Sequence, residues 1–155
     1  MATPEQIEAH IKAVKKHVRL VRKNAKILIK ELNERLAIHD NSKLEEPELS
    51  VYAEHFPELA KTVYMSPEYV ALLEKVKVAT ESHFSKNRHH PEAFPNGIND
   101  FDLVDLMEML ADWASSIHKN KFGNLHKSLE INSKRYGISP QLAGILTNTI
   151  ERYLA

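Results

Sequence analysis

From Ile7 to Leu28 the apolar residues return every three or four positions, through Ile11, Val14, Val18, Val21 and Ala25. That period matches the turn of an α-helix and excludes the period of two that a half-buried strand needs. The tract opens on Thr3-Pro4-Glu5-Gln6. This reads as an N-cap, a proline at the first helical position and a glutamine placed to close a capping box. One long helix is expected, running to about Ile38 or breaking near Lys23-Asn24.

Helix signals recur further on, and strand signals hardly appear. Residues 41 to 65 are mixed, with Pro47 and Pro57 expected to cut short helices. Ser66-Pro67-Glu68 opens another helix, which carries Tyr69, Leu72, Leu73, Val76 and Ala79 towards His83. Pro91, Pro95 and Asn96-Gly97 mark a loop. Asn99 or Asp100 is expected to cap a helix through Leu103, Leu106, Leu110 and Trp113, with Trp113 in the core. Gly123 and Gly137 look like helix stops, and Ser139-Pro140 starts a last helix ending near Leu154. With only 4 glycines, no repeat and no linker tract in 155 residues, the sequence predicts a single all-α domain.

The charge balance narrows the function classes. Lys plus Arg number 21 and Asp plus Glu number 21, so no global field draws the chain to nucleic acid or to a membrane. The densest basic tract, Lys12, Lys15, Lys16, Arg19, Arg22, Lys23 and Lys26, reads as a solvated helix face, with guidance of a polyanionic substrate as the alternative. The absence of cysteine excludes thiol catalysis, Cys-type zinc sites and disulfides. The start is charged and amphipathic, unlike a signal peptide, and no apolar run approaches the roughly 20 residues of a membrane span. A cytoplasmic setting is the expectation.

The chemistry is concentrated in histidines and acids. His39-Asp40 is followed by Asn41-Ser42-Lys43. His17, or His10 on the same helix face, lies upstream. His83, the pair His89-His90 and then Asp112 lie downstream. Imidazole and carboxylate are the usual ligands of Zn, Mn and Fe, and these residues are expected to converge on one or two ions. Asp105, Glu108 and Asp112 are spaced by three and four, which places them on one stripe of an apolar helix. Carboxylates buried there need a cation or hydrogen bonds, and Glu108 reads as an orienting partner for a ligand histidine. An ion so held lowers the pKa of a bound water. Lys43 and Arg88 could place positive charge on a phosphate. His55, His118 and His126 fit no part of the pattern and read as surface residues.

The order His, His-Asp, His, His, Asp resembles the HD-domain metal-dependent phosphohydrolase superfamily, all-helical enzymes that cleave phosphomonoesters, nucleotides or cyclic dinucleotides. His17, His39, Asp40 and Asp112 match its first His, its HD doublet and its closing Asp. Lys43 matches the Lys of its HD-x-x-K form. His83 with His89 and His90 resembles the additional histidines of its two-metal branch. The chain is most similar to a small HD-like family of phages and bacteria with HDxSK, NRHHPE and EMxxDW segments. The resemblance covers roughly residues 10 to 114 and leaves helices 124 to 155 outside it. It implies an HD-like helical bundle, a divalent metal cofactor and a phosphate-containing small-molecule substrate. The implied activity is hydrolysis of a phosphate ester, a nucleotide among the candidates, with Asp40, Lys43 and Arg88 in the catalytic set. Homodimers are common among HD-type proteins. The short interval from His17 to His39 keeps His10 open as first ligand. The segment Ala93-Phe94-Pro95-Asn96-Gly97 replaces a GYP motif, so cyclic-dinucleotide cleavage is not implied. Mn, Fe, Zn, Ni, Co and Mg all stay open. Two other readings also stay open: a di-iron oxygenase on the same scaffold, and a non-catalytic module stabilised by its metal.

Overall fold

The first capping signal forms as the sequence dictates. In the computed structural model, which describes residues 1–59, 61–63, 66–117 and 124–154, Thr3 N–H donates to Gln6 Oε1 at 2.8 Å and Gln6 N–H returns to Thr3 Oγ1 at 3.3 Å. Helix α1 follows over Pro4–Ala37 and runs through Lys23-Asn24 without a break. The chain divides into two compact units, Met1–Ala37 and Ile38–Ala155. The first is α1 alone, and none of its residues is buried. The sequence read as one domain because nothing of linker composition separates the two.

The second unit is a helical bundle, and no strand occurs among the described residues. A 3-10 turn, Asn41–Leu44, leads to α2 (Glu48–Leu59), α3 (Pro67–Lys75) and α4 (Lys77–Lys86). Two more 3-10 turns, Pro91–Ala93 and Gly97–Asp100, precede α5 (Leu103–Ile117), α6 (Leu125–Tyr136) and α7 (Pro140–Tyr153).

Several boundaries differ from the sequence reading, each for a local reason. Pro57 does not end α2 but lies inside it. It sits in the last turn, where its missing N–H removes only one bond near the helix end. The helix opened by Ser66, whose Oγ accepts from Tyr69 N–H, does not continue to His83. It stops at Val76, whose ψ of 7° departs from helical geometry, and α4 begins one residue later. The cap of α5 is Asp102, not Asn99 or Asp100: its Oδ1 accepts from Val104 and Asp105 N–H at 2.8 and 2.9 Å. Asp100 instead accepts from the backbone N–H and the side-chain amide of Asn96. Gly137 stops α6 as expected, at φ 65°, a conformation costly for other residues. Gly123 and His118 lie outside the described residues.

The core of this unit gathers Met109, Leu110 and Ala114 of α5, Leu125 and Leu129 of α6, and Leu146 and Ile150 of α7. Trp113 packs against it, as the apolar period of α5 implied. Among the described residues no helix is long and apolar enough to cross a membrane.

Candidate metal centre

The centre is built where four segments of the second unit meet. Asp40 stands in the left-handed region at φ 59°, which Asp tolerates better than most residues. This bend turns the chain into the Asn41–Leu44 turn and directs His39 and Asp40 to a common place. His83 comes from the buried face of α4, one turn after buried Ala79. His89 and His90 follow the end of α4, where Asn87 N–H closes on His83 O at 3.1 Å. Glu108 and Asp112 come from one stripe of α5.

Asp40 lies between two groups of donor atoms. Its Oδ2 is 3.7 Å from His39 Nε2, and its Oδ1 is 3.3 Å from His83 Nε2 and 3.6 Å from His89 Nε2. Asp112 Oδ1 is 3.7 Å from His39 Nε2. Ligand-capable atoms of His39, Asp40 and Asp112 all fall within 4.8 Å of one another, and so do those of His83, His89 and His90. A third such group, His39, His89 and Glu108, uses the opposite ring nitrogens. Glu108 Oε1 lies 2.9 Å from His39 Nδ1 and 3.3 Å from His89 Nδ1. One carboxylate thus fixes two imidazoles and leaves both Nε2 atoms facing Asp40, the usual arrangement behind metal-ligating histidines.

Four buried side-chain atoms among the described residues lack a hydrogen-bond partner. Three of them are Asp40 Oδ1, His89 Nε2 and His90 Nε2; the fourth, Ser133 Oγ, belongs to α6. Buried polar atoms left unpaired cost about 1–3 kcal/mol each, so three in one cluster fit a cation that completes them. The donor set, histidine nitrogens and carboxylate oxygens without thiolate, suits a first-row divalent ion.

Protonation divides the imidazoles. The Asp112 and Glu108 carboxylates outweigh burial and raise His39 from its ordinary 6.5 to about 10. Burial, with the charges of His89 and His83, lowers His90 to about 3. Burial and the Lys43 ammonium lower His83. Burial alone would raise Asp40, but the hydrogen bond and charge of Lys43, 2.5 Å away, hold its carboxyl below the ordinary value. Burial likewise opposes the effect of His39 on Asp112, whose carboxyl is still lowered. The stability contributed by protonated His39 is therefore complete below about pH 6.5 and is lost as pH rises through about 10. An ion bound through His39 Nε2 would have to displace that proton. Affinity for a divalent cation is expected to rise about tenfold per pH unit from about pH 7 to 9. A chelator-competition titration across that range checks this, and a flat profile would remove His39 from the ligand set.

Not every expected residue joins the cluster. His10 and His17 belong to α1, in the first unit, and are exposed on it. Arg88 was expected to meet phosphate. Its Nε and Nη2 donate to Asp105 Oδ1 and Oδ2 at 3.1 and 3.0 Å, and its guanidinium stacks over Phe94. Asp105 is fully buried and requires that counter-charge. His55 is half-buried and His126 exposed.

One residue went unnoticed in the sequence. Glu48, at 0 % exposure, accepts from Ser42 Oγ at 2.9 Å and Ser82 Oγ at 3.0 Å and lies 2.9 Å from His83 Nδ1. Asn87 Nδ2 donates to Ser42 Oγ at 2.7 Å and completes the ring. Glu48 does for His83 what Glu108 does for His39. Nothing in Glu45-Glu46-Pro47-Glu48 separates it from surface acids. The available signal was the polar pair Ser42 and Asn87 inside the HDxSK and NRHHPE segments.

No curated protein and no solved structure matches this chain. A family model does match, spanning residues 6–152. The chain belongs to that family, described as Family of unknown function (DUF5662).

Proposed function

We propose that this protein is a metal-dependent phosphohydrolase of HD-like type, acting on a phosphate ester such as a nucleotide. The observation that carries the reading is Asp40, a carboxylate set between His39 with Asp112 on one side and His83 with His89 on the other. In this reading His39, Asp40 and Asp112 hold one divalent ion, and His83, His89 and His90 a second. Bound ions would supply an acidified water and neutralise charge on the phosphate. Glu108 and Glu48 hold the imidazoles by Nδ1 and keep Nε2 free. Lys43, paired with Asp40 but exposed, is the cation available to a phosphate oxygen. Arg88 serves by pairing with buried Asp105 in the first turn of α5.

Burial favours catalysis over a purely structural ion. His89 is 2 % exposed, but the Asp40 and Asp112 side chains are 24 % and 25 % exposed. His83 and His89 form a closed floor, and His39, Asp40 and Asp112 an accessible rim, whereas structural sites are closed on every side.

The test loads the protein in turn with Mn, Co, Ni, Mg, Zn and Fe and assays nucleotides and an aryl phosphate. Metal-dependent release of phosphate is the expected result. Inactivity of every fully loaded form would point to a metal-stabilised module. Oxygen consumption by the iron form would point to an oxygenase. Either result would overturn the hydrolase reading.

A further inference from the structure

Helix α1 presents a seam of unusual regularity. Ile7, Ile11, Val14, Val18, Val21, Ala25, Leu28 and Leu32 alternate by four and three residues without a break. This is a strict 3.5-residue repeat, the period of a coiled coil rather than of a helix laid on a globular core. Flanking positions are mostly polar, with Glu8, Lys15, Arg22 and the apolar Ile29 on one side and His10, His17, Asn24 and Glu31 on the other. Ile7, Ile11, Val14, Val18, Val21 and Leu28 are 41–53 % exposed. Four heptads of apolar seam on one helix are a contact surface.

The geometry points to a second copy of α1, antiparallel, as the occupant. About a midpoint between Arg19 and Leu20 the seam is self-complementary. Val18 faces Val21 of the other copy, Val14 faces Ala25, Ile11 faces Leu28 and Ile7 faces Leu32. The small Ala25 is thereby filled by Val14. A parallel pair would set Ala25 against Ala25 and leave a gap. A parallel pair would also align His10 with Lys15 and His17 with Arg22 across the interface, with no attraction. The antiparallel pair instead sets His10 beside Glu31 and opposes the two helix dipoles favourably.

Two features bound the strength. Seam and flanks together involve fewer than the roughly 20–30 residues a side of a standard interface. Lys15 also meets Arg22 of the other copy, within a stretch from 12 to 30 that holds no Asp or Glu. The dimer is therefore weak and reversible, and added salt strengthens it by screening this repulsion. A cationic helix bound to a polyanion would respond to salt in the opposite sense.

Sedimentation equilibrium of the full chain, at low and high salt, tests this. A monomer–dimer equilibrium that tightens at high salt is expected, and the paired change Val18→Asp with Val21→Asp should leave only monomer. Circular dichroism of that variant confirms its helix content. The chain has no cysteine, so orientation is read by cross-linking. Val14→Cys combined with Ala25→Cys should form an intermolecular disulfide, and either change alone should not. A wild-type protein that stays monomeric at millimolar concentration, or a dimer indifferent to the Asp changes, would overturn the proposal. Efficient cross-linking of the single cysteines would overturn the antiparallel arrangement.

Discussion

Asp40→Asn is expected to eliminate tight metal binding at both donor groups and, with it, metal-dependent turnover. Asn is the informative replacement. Residue 40 sits at φ 59°, where an alanine would add roughly 1–2 kcal/mol of backbone strain, while Asn adopts this region readily. The change therefore removes charge and one oxygen without disturbing the bend that presents His39. What is lost is the carboxylate that faces Nε2 atoms of both groups, with His39 on Oδ2 and His83 and His89 on Oδ1. The two donor groups would then lack the negative charge that Asp40 places between them. A fall in turnover of about a thousandfold corresponds to roughly 4 kcal/mol. Elemental analysis after dialysis against a weak chelator, with a thermal melt to confirm folding, checks it. A folded variant that retained full metal content would remove Asp40 from the ligand set.

Glu48 carries the second large effect, and it separates folding from metal binding. Glu48→Leu leaves partly buried Ser42 and Ser82 and buried His83 Nδ1 without the carboxylate they share. Stability is expected to fall by about 3 kcal/mol, or roughly 10 °C in melting temperature. Glu48→Gln keeps the shape, and the two serine hydroxyls can rotate to suit an amide. His83 cannot adapt as freely. With a weaker acceptor at Nδ1, its proton is no longer fixed there and Nε2 is less available to an ion. That variant should melt near the parent protein yet bind metal about 10–100-fold more weakly. Chelator competition and differential scanning calorimetry, run side by side, read the two effects. Unchanged affinity in Glu48→Gln would restrict Glu48 to packing.

The helices were legible in the sequence because their signals are local. The Thr3–Gln6 capping box, the Ser66 and Ser139 caps with proline next in line, and Gly137 as a stop each depend on residues within one turn. The failures are local competitions that periodicity does not register. Asp100 is engaged by Asn96, so the α5 cap passes to Asp102. The apolar pattern through Val76 hides a break between α3 and α4. Glu108 was legible as an orienting residue because it shares a stripe with Asp112 on an apolar helix. Glu48 was not, since an acid in a run of acids shows its burial only once α2 packs on α4.

The sequence alone determined the all-α class, the ends of most helices and an inventory of imidazoles and carboxylates suited to a cation. Those properties follow from residue type and short spacing, which the chain states directly. Only the tertiary structure decided that Asp40 stands between His39 and His83, that Arg88 is turned to Asp105, and that Glu48 lies beneath His83. Each of these depends on segments tens of residues apart meeting, with buried charges compelled to find counter-charges where the packing has put them.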